Sequence, residues 1–128
     1  MTKKIIATDK APEAIGPYSQ AVQVDNVVYI SGQIPLVPGS MTLVEGDMTA
    51  QVCQALDNLA AVARAADGSL NQVVKFTVYL TDLSNFPLIN EIMAEYLQEP
   101  YPARAAVGVT ELPKGASVEM DAVLVLDA

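Results

Sequence analysis

With 128 residues the chain has the length of one domain, residues 1–128, and folding can bury roughly two thirds of its unfolded surface. Apolar residues at 52% and charged residues at 17% exclude a disordered chain, and so low a charged fraction points to apolar surface covered by another subunit. A net charge of −8, with seven basic residues scattered from Lys3 to Lys114, offers no cationic patch for a nucleic-acid backbone, so any anion site must be built locally.

The first residues, MTKKIIATDKAPEA, carry three lysines but lack the apolar stretch of a secretory signal, and no apolar run approaches a membrane span. The single cysteine, Cys53, allows no intrachain disulfide and fits a reducing compartment; the expectation is a soluble cytoplasmic protein. Lys4–Ala7 reads as a short strand, followed by the loop APEAIGPYSQ. Two β-runs, SQAVQV and VVYISGQ, flank Asp25-Asn26 as a tight hairpin, and IPLVPGSMTLVEG is rich in turns. Asp47–Ala66 is the strongest helix: Met48, Val52, Leu56, Leu59 and Ala63 form one stripe, Asp47 is an N-cap and Gly68 a stop. Cys53 lies beside that stripe as a small apolar filler.

Val73–Thr81 alternates, with Val74, Phe76, Val78 and Leu80 on one face. Ser84 caps a second helix running to about Gln98, with Pro87 in its first turn and Pro100 and Pro102 beyond its end. ARAAVGVT and SVEMDAVLVL are two further strands, which ELPKGA joins as a hairpin loop if it is compact. About six strands and two helices predict an α+β two-layer sandwich with both helices on one sheet face.

Composition removes many mechanisms. The chain has no histidine, so there is no Ser-His or Cys-His nucleophile system, and one cysteine cannot build an ordinary zinc or copper site. No glycine-rich nucleotide loop is present. Attention falls on Arg104, one of only two arginines, in YPARAAVGVT. Strand alternation places it over Ala106, Gly108 and Thr110, with Ala105, Val107 and Val109 on the opposite, core-like face. A guanidinium above small residues either pairs with a protein carboxylate or grips a ligand's. With a hairpin at ELPKGA, Glu119 falls opposite Gly108 on Arg104's face, roughly 13 Å away at strand rise, which leaves room for a small ligand. Glu119 and Asp121 also fit a plain solvated strand face. Asn90 lies on the stripe of Phe86, Met93 and Leu97, as an amide that ties the helix to backbone or organises a pocket. IGPYSQ and YISGQIP each set a hydroxyl residue, Tyr18 and Ser31 among them, beside a turn, and Gly32 permits close backbone approach.

In order and spacing, APEAIGPYSQAV, VYISGQIP, TVYLTDLSNFPLINEI, YPARAAV and LPKGASVEMDAV resemble the RidA (YjgF) family of reactive-intermediate deaminases, from about Lys4 to Leu126. The resemblance implies a chorismate-mutase-like fold, a homotrimer with clefts between subunits, and hydrolysis of 2-imino acids or their enamine tautomers to 2-oxo acids and ammonia, without cofactor or metal. It implies roles residue by residue. Arg104 matches the arginine that clamps the substrate carboxylate, Glu119 the glutamate that holds the attacking water, and Tyr18 the tyrosine of the cleft. Ser31, Gly32 and Asn90 match polar and backbone positions around them. Ala106 stands where the family usually has a cysteine; the resemblance implies that this position contacts substrate through its backbone, which alanine keeps. Two other readings fit the same cleft: a regulatory protein binding 2-oxo acids or similar small carboxylates, and a ribonuclease or translation inhibitor, which the acidic charge and missing histidine disfavour.

Overall fold

The computed structural model describes residues 2–128. Its first three strands, β1 (Lys4–Ile6), β2 (Ala21–Val24) and β3 (Val27–Gln33), pair antiparallel in sequence. Val24 faces Val27 across the two-residue turn Asp25-Asn26, and Asp25 takes the left-handed conformation, at φ 53°, that such turns demand. Helix α1 (Met48–Ala65), β4 (Val73–Leu80), α2 (Phe86–Tyr96), β5 (Ala103–Gly108) and β6 (Val118–Val125) follow. The sheet order is β1-β2-β3-β6-β4-β5. Strand β6 is therefore inserted between β3 and β4, antiparallel to both, while β4 and β5 are parallel, with α2 as their crossover.

This topology corrects the expected hairpin at ELPKGA. Lys114 and Gly115 do turn the chain sharply, at φ 59° and 74°, but β4 lies between β5 and β6. The register partner of Glu119 is Tyr79, and that of Gly108 is Leu80. A tight turn reverses the chain without deciding which strand it returns to. The fully alternating β6 takes the centre of the sheet, and the small residues of β5 take its edge.

Both helices cover one sheet face. Val28 and Ile30 of β3, Phe76, Val78 and Leu80 of β4, and Val118, Met120, Ala122 and Leu124 of β6 are all buried there. They pack with Val52, Leu56, Leu59 and Ala63 of α1 and Ile89, Ile92 and Met93 of α2. The other face carries no helix, and Tyr29 and Val107 stand exposed on it. Val107 is thus not a core residue: β5 turns its Val107 side to the open face and its Arg104 side toward the helices. Val74 is also displaced from the core, because a register shift between Val73 and Lys75 buries Val73 and leaves Val74 39% exposed. No helix among the described residues is long and apolar enough to cross a membrane.

Helix ends follow local chemistry. Asp47 caps α1, its Oδ1 accepting from the Ala50 N–H at 3.1 Å. At the other end Asp67 (φ 64°), not Gly68, is the left-handed residue, and the Gly68 N–H donates to the Ala63 carbonyl at 2.9 Å. Before α2, Asp82 does the capping expected of Ser84, accepting from the Ser84 N–H at 2.9 Å and opening a short 3-10 turn, Leu83–Asn85.

Asn58 of α1, 1% exposed, donates through Nδ2 to the carbonyls of Leu36 (3.0 Å) and Ile34 (3.3 Å) and accepts from Gln54 Nε2 at 2.9 Å. It thereby fixes the chain leaving β3. Replacing it with alanine strips the buried Leu36 carbonyl of its donor, while the Ile34 carbonyl keeps the Leu36 N–H, so Asn58→Ala should lower stability by roughly 1–3 kcal/mol. The check is a lower urea midpoint with an unchanged slope.

Candidate active site

The residues singled out in the sequence gather into two groups, one on each side of the sheet. The first is built by β5 and α2. Arg104 pairs in register with Phe76, so it points to the helix-bearing side, but β5 is an edge strand and leaves the side chain exposed. Its Nη1 donates to Asn90 Oδ1 at 2.7 Å and lies 3.9 Å from Met93 Sδ, while Cζ sits 4.9 Å from the centroid of the Phe86 ring. Phe86, Asn90 and Met93 follow one another at helical spacing, which is why one stripe of α2 meets one guanidinium. Asn90 is exposed, not a buried amide; its partner is the arginine. An amide oxygen, a thioether and a ring satisfy Arg104, and none of these partners is anionic. A groove of about 390 Å³ opens beside it, walled by Met93, Leu97, Tyr101 and Pro102.

Ala106, half-buried, lies two residues along on the same side, paired with Val78. The expected strip of small residues does not stay open to its end: a Cβ at Gly108 would come within 3.1 Å of the Leu83 side chain, which already covers it.

The second group is built by β3, β6 and the loop before β2. Ile30 pairs with Ala122 and Gln33 with Met120, so two residues, Ser31 and Gly32, stand opposite one. This bulge turns Gly32 toward Glu119. A Cβ at Gly32 would collide with Glu119 Oε2 and lie 2.9 Å from its Cδ, so the carboxylate rests in space that only glycine leaves free. The Ser31 hydroxyl donates to the Ser19 carbonyl at 2.6 Å and the Ser31 N–H to the Gln20 carbonyl at 2.9 Å. These bonds tether the loop that carries Tyr18, which is 50% exposed and shares a small cavity with Gly32 and Gln33.

Gln20 was not distinguished in the sequence from a solvated glutamine, yet it is 5% exposed and organises this loop. Its Nε2 donates to the carbonyls of Thr8 (3.0 Å) and Pro12 (2.8 Å), and its Oε1 accepts from the Thr8 N–H at 2.7 Å. The only legible signal was a polar residue entering a strand whose next position is apolar.

Electrostatics distinguish Glu119. Partial burial, and then the negative charge of Asp121 on the same face of β6, hold its carboxyl above the usual range. Tyr79, its register partner, donates from its hydroxyl to Asp121 Oδ2 at 3.1 Å, and burial and that carboxylate push the phenol up.

One expectation fails outright. Glu119 shares the open face with Tyr79, whereas Arg104 shares the helix-bearing side with Phe76. Within one chain the guanidinium and the carboxylate point away from each other.

Comparison with known proteins bears on this arrangement. A family profile described as Endoribonuclease L-PSP matches residues 8–126. The 2-iminobutanoate/2-iminopropanoate deaminase of Mus musculus is 51% identical over 123 residues, 96% of this chain and 91% of that protein. Among solved structures, RidA from an Antarctic Psychrobacter species superposes with a TM-score of 0.92 at 56% identity, covering 95% of this chain and 98% of the other. Escherichia coli TdcF, solved with bound serine, gives 0.88 at 40% identity, with 95% and 98% covered. Profile, sequence and fold agree over nearly the whole length, and the chain belongs to the RidA (YjgF, L-PSP) family.

Proposed function

We propose that this protein is a deaminase that hydrolyses 2-imino acids, or their enamine tautomers, to 2-oxo acids and ammonia, at clefts completed between copies of a homotrimer. The observation that carries the reading is the separation of the two groups: an arginine with no anionic partner among the described residues on one side of the sheet, and a glutamate seated on Gly32 on the other. Each group is half of a site. Heterologous contact between copies, repeated around a closed ring, would bring Arg104 of one to Glu119 of the next. The activity named for the mouse relative, at 51% identity, supports the substrate class.

In the assembled cleft Arg104 takes the substrate carboxylate in a two-pronged grip, a charge-assisted contact of roughly 1.5–3 kcal/mol. Asn90 and Phe86 hold the guanidinium in place for it. Glu119 accepts a proton from water as the water oxygen bonds to the imine carbon, and the C=N π electrons pass to nitrogen. Glu119 returns that proton to nitrogen, and the oxygen's remaining proton then passes through the same carboxylate to nitrogen as C=O forms, the C–N bond breaks and ammonia leaves. No net oxidation occurs, so the reaction asks for water, a base and orientation. A carboxyl held above its usual range is a better base than an ordinary glutamate, and it is lost to protonation at a correspondingly higher pH on acidification. Tyr18 and the backbone at Ser31 and Ala106 line the cleft, so alanine in place of a cysteine leaves the activity intact. The charge of −8 sets the protein against a nucleic-acid partner. A lone half-buried thiol at Cys53 fits the cytoplasm.

Arg104→Ala should lower kcat/KM for 2-iminobutanoate by about 10- to 150-fold, the equivalent of the lost carboxylate contact, with the fold retained. Turnover equal to wild type in a dehydratase-coupled semicarbazide assay would overturn the assignment. Binding of 2-oxobutanoate by the wild type without faster imine breakdown would instead indicate a regulatory protein. Gly32→Ala should displace the Glu119 carboxylate and depress kcat while leaving the melting temperature close to wild type, because a flexible side-chain end and not backbone must move. Complementation tests the division between copies. Arg104→Ala and Glu119→Gln, each strongly impaired alone, should together reach roughly a quarter of wild-type activity when co-expressed, since each site draws each half at random from the two variants. No recovery means both residues act within one chain.

A further inference from the structure

Glu119 is not alone on the open face. Tyr79 of β4 stands directly across from it in register, and Asp121 lies two residues along β6 on the same side. The Tyr79 hydroxyl reaches past Glu119's own position to donate to Asp121 Oδ2 at 3.1 Å, so the ring spans the β4 side of the space around Glu119. The Glu119 carboxylate lies on the other side, toward β3, over Gly32. A Cβ at position 32 would take the place of that carboxylate, and the ring tethered to Asp121 stands on the strand opposite it. The proposed reaction uses neither Tyr79 nor Asp121.

We propose that Tyr79 and Asp121 are positioning residues for Glu119: the tethered ring keeps its carboxylate over Gly32, and Asp121 keeps a like charge beside it. This rests on the reading of Glu119 as the base that takes the proton from water. The division of labour follows from what each partner offers. Tyr79 donates one hydrogen bond, and the Asp121 carboxylate accepts it. Ionised Asp121 makes it harder to place a second negative charge on Glu119, so Glu119 holds a proton more strongly. The groups facing Glu119 are few. Asp121 comes from β6 and Tyr79 from β4; β3 contributes Ser31 and Gly32, which carry no titrating group, and the loop before β2 brings Glu13 and Tyr18 to the cavity at Gly32. In the assembled cleft Arg104 of a second copy adds a positive charge that acts in the opposite sense. Asp121 and that arginine would then bracket the pH at which Glu119 works.

The test uses the intact oligomer and reads Glu119 directly, by carbon NMR of its labelled side-chain carboxyl, beside the pH profile of kcat/KM. In Asp121→Asn, which keeps an acceptor for Tyr79 but removes the charge, the Glu119 midpoint and the acid limb of the profile should both move to lower pH. Asp121→Glu should restore them toward wild type. Tyr79→Phe keeps the ring and loses the tether; it should give a several-fold loss in kcat with KM little changed. A structural role alone would lower activity at every pH without moving the limb. If the Glu119 midpoint in Asp121→Asn coincides with wild type, or Tyr79→Phe turns over normally, the positioning role is wrong even though Glu119→Gln is inactive. Should Glu119→Gln itself retain full turnover, the reading beneath it fails as well.

Discussion

Strand β6 hydrogen-bonds to β3 on one side and β4 on the other, and Val118, Met120, Ala122 and Leu124 of that strand anchor the core beneath both helices. With those four fixed inward, the period of two leaves Glu119 and Asp121 no choice but the open face. The same insertion pushes β5 to the sheet edge, beyond β4, where its parallel pairing turns Arg104 toward α2. A single topological fact thus sets the two charged groups on opposite sides. A register slip of one residue in β6 would bury two carboxylates in an apolar core, so the core that stabilises the fold also enforces the site's geometry.

Much of this was legible in the residues. The α1 stripe, the β2–β3 turn and the alternation of β4 and β6 follow from local periodicity, which the core obeys almost position for position. Arg104 was conspicuous because an arginine amid alanines and valines has no packing reason to be there. Strand order was not legible. ELPKGA has the look of a hairpin turn, and nothing local reveals that β4 separates the two strands it joins. Assigning Arg104 and Glu119 to one face came from that assumption, whereas reading Val107 as core came from alternation and apolar type, which do not say which face of an edge strand the helices cover. The buried amides were equally opaque. Asn58 and Gln20 earn their burial by satisfying carbonyls distant in sequence, at Leu36 and Pro12, and a partner more than seven residues away leaves no trace in periodicity.

The two groups of the candidate site are held in place for different reasons. Gly32 sits on a bulge whose neighbour Ser31 is bonded to Ser19 and Gln20, and Gln20 in turn gathers Thr8 and Pro12. Hydrogen bonds to backbone carbonyls therefore locate the carboxylate's seat. Arg104 is located by side chains instead: an amide, a ring and a thioether from successive turns of one helix. Neutral partners orient a guanidinium without spending its charge, so it can still meet a carboxylate with its full electrostatic attraction.

That restraint explains how so acidic a protein can serve an anionic substrate. Fifteen Asp and Glu residues share the chain with seven Lys and Arg, yet none of the side chains holding Arg104 is a carboxylate. At physiological ionic strength the field of distant charges is screened within about 8 Å, so the net −8 weakens capture of a small anion only slightly. Contact with Arg104 acts inside that distance and is not screened in the same way. The balance favours chemistry built from one cation and one base over chemistry that needs a broad positive surface. In the proposed reaction it also removes the need for histidine: toward an imine, a glutamate made a stronger base by burial and a neighbouring aspartate would be basic enough to assist water.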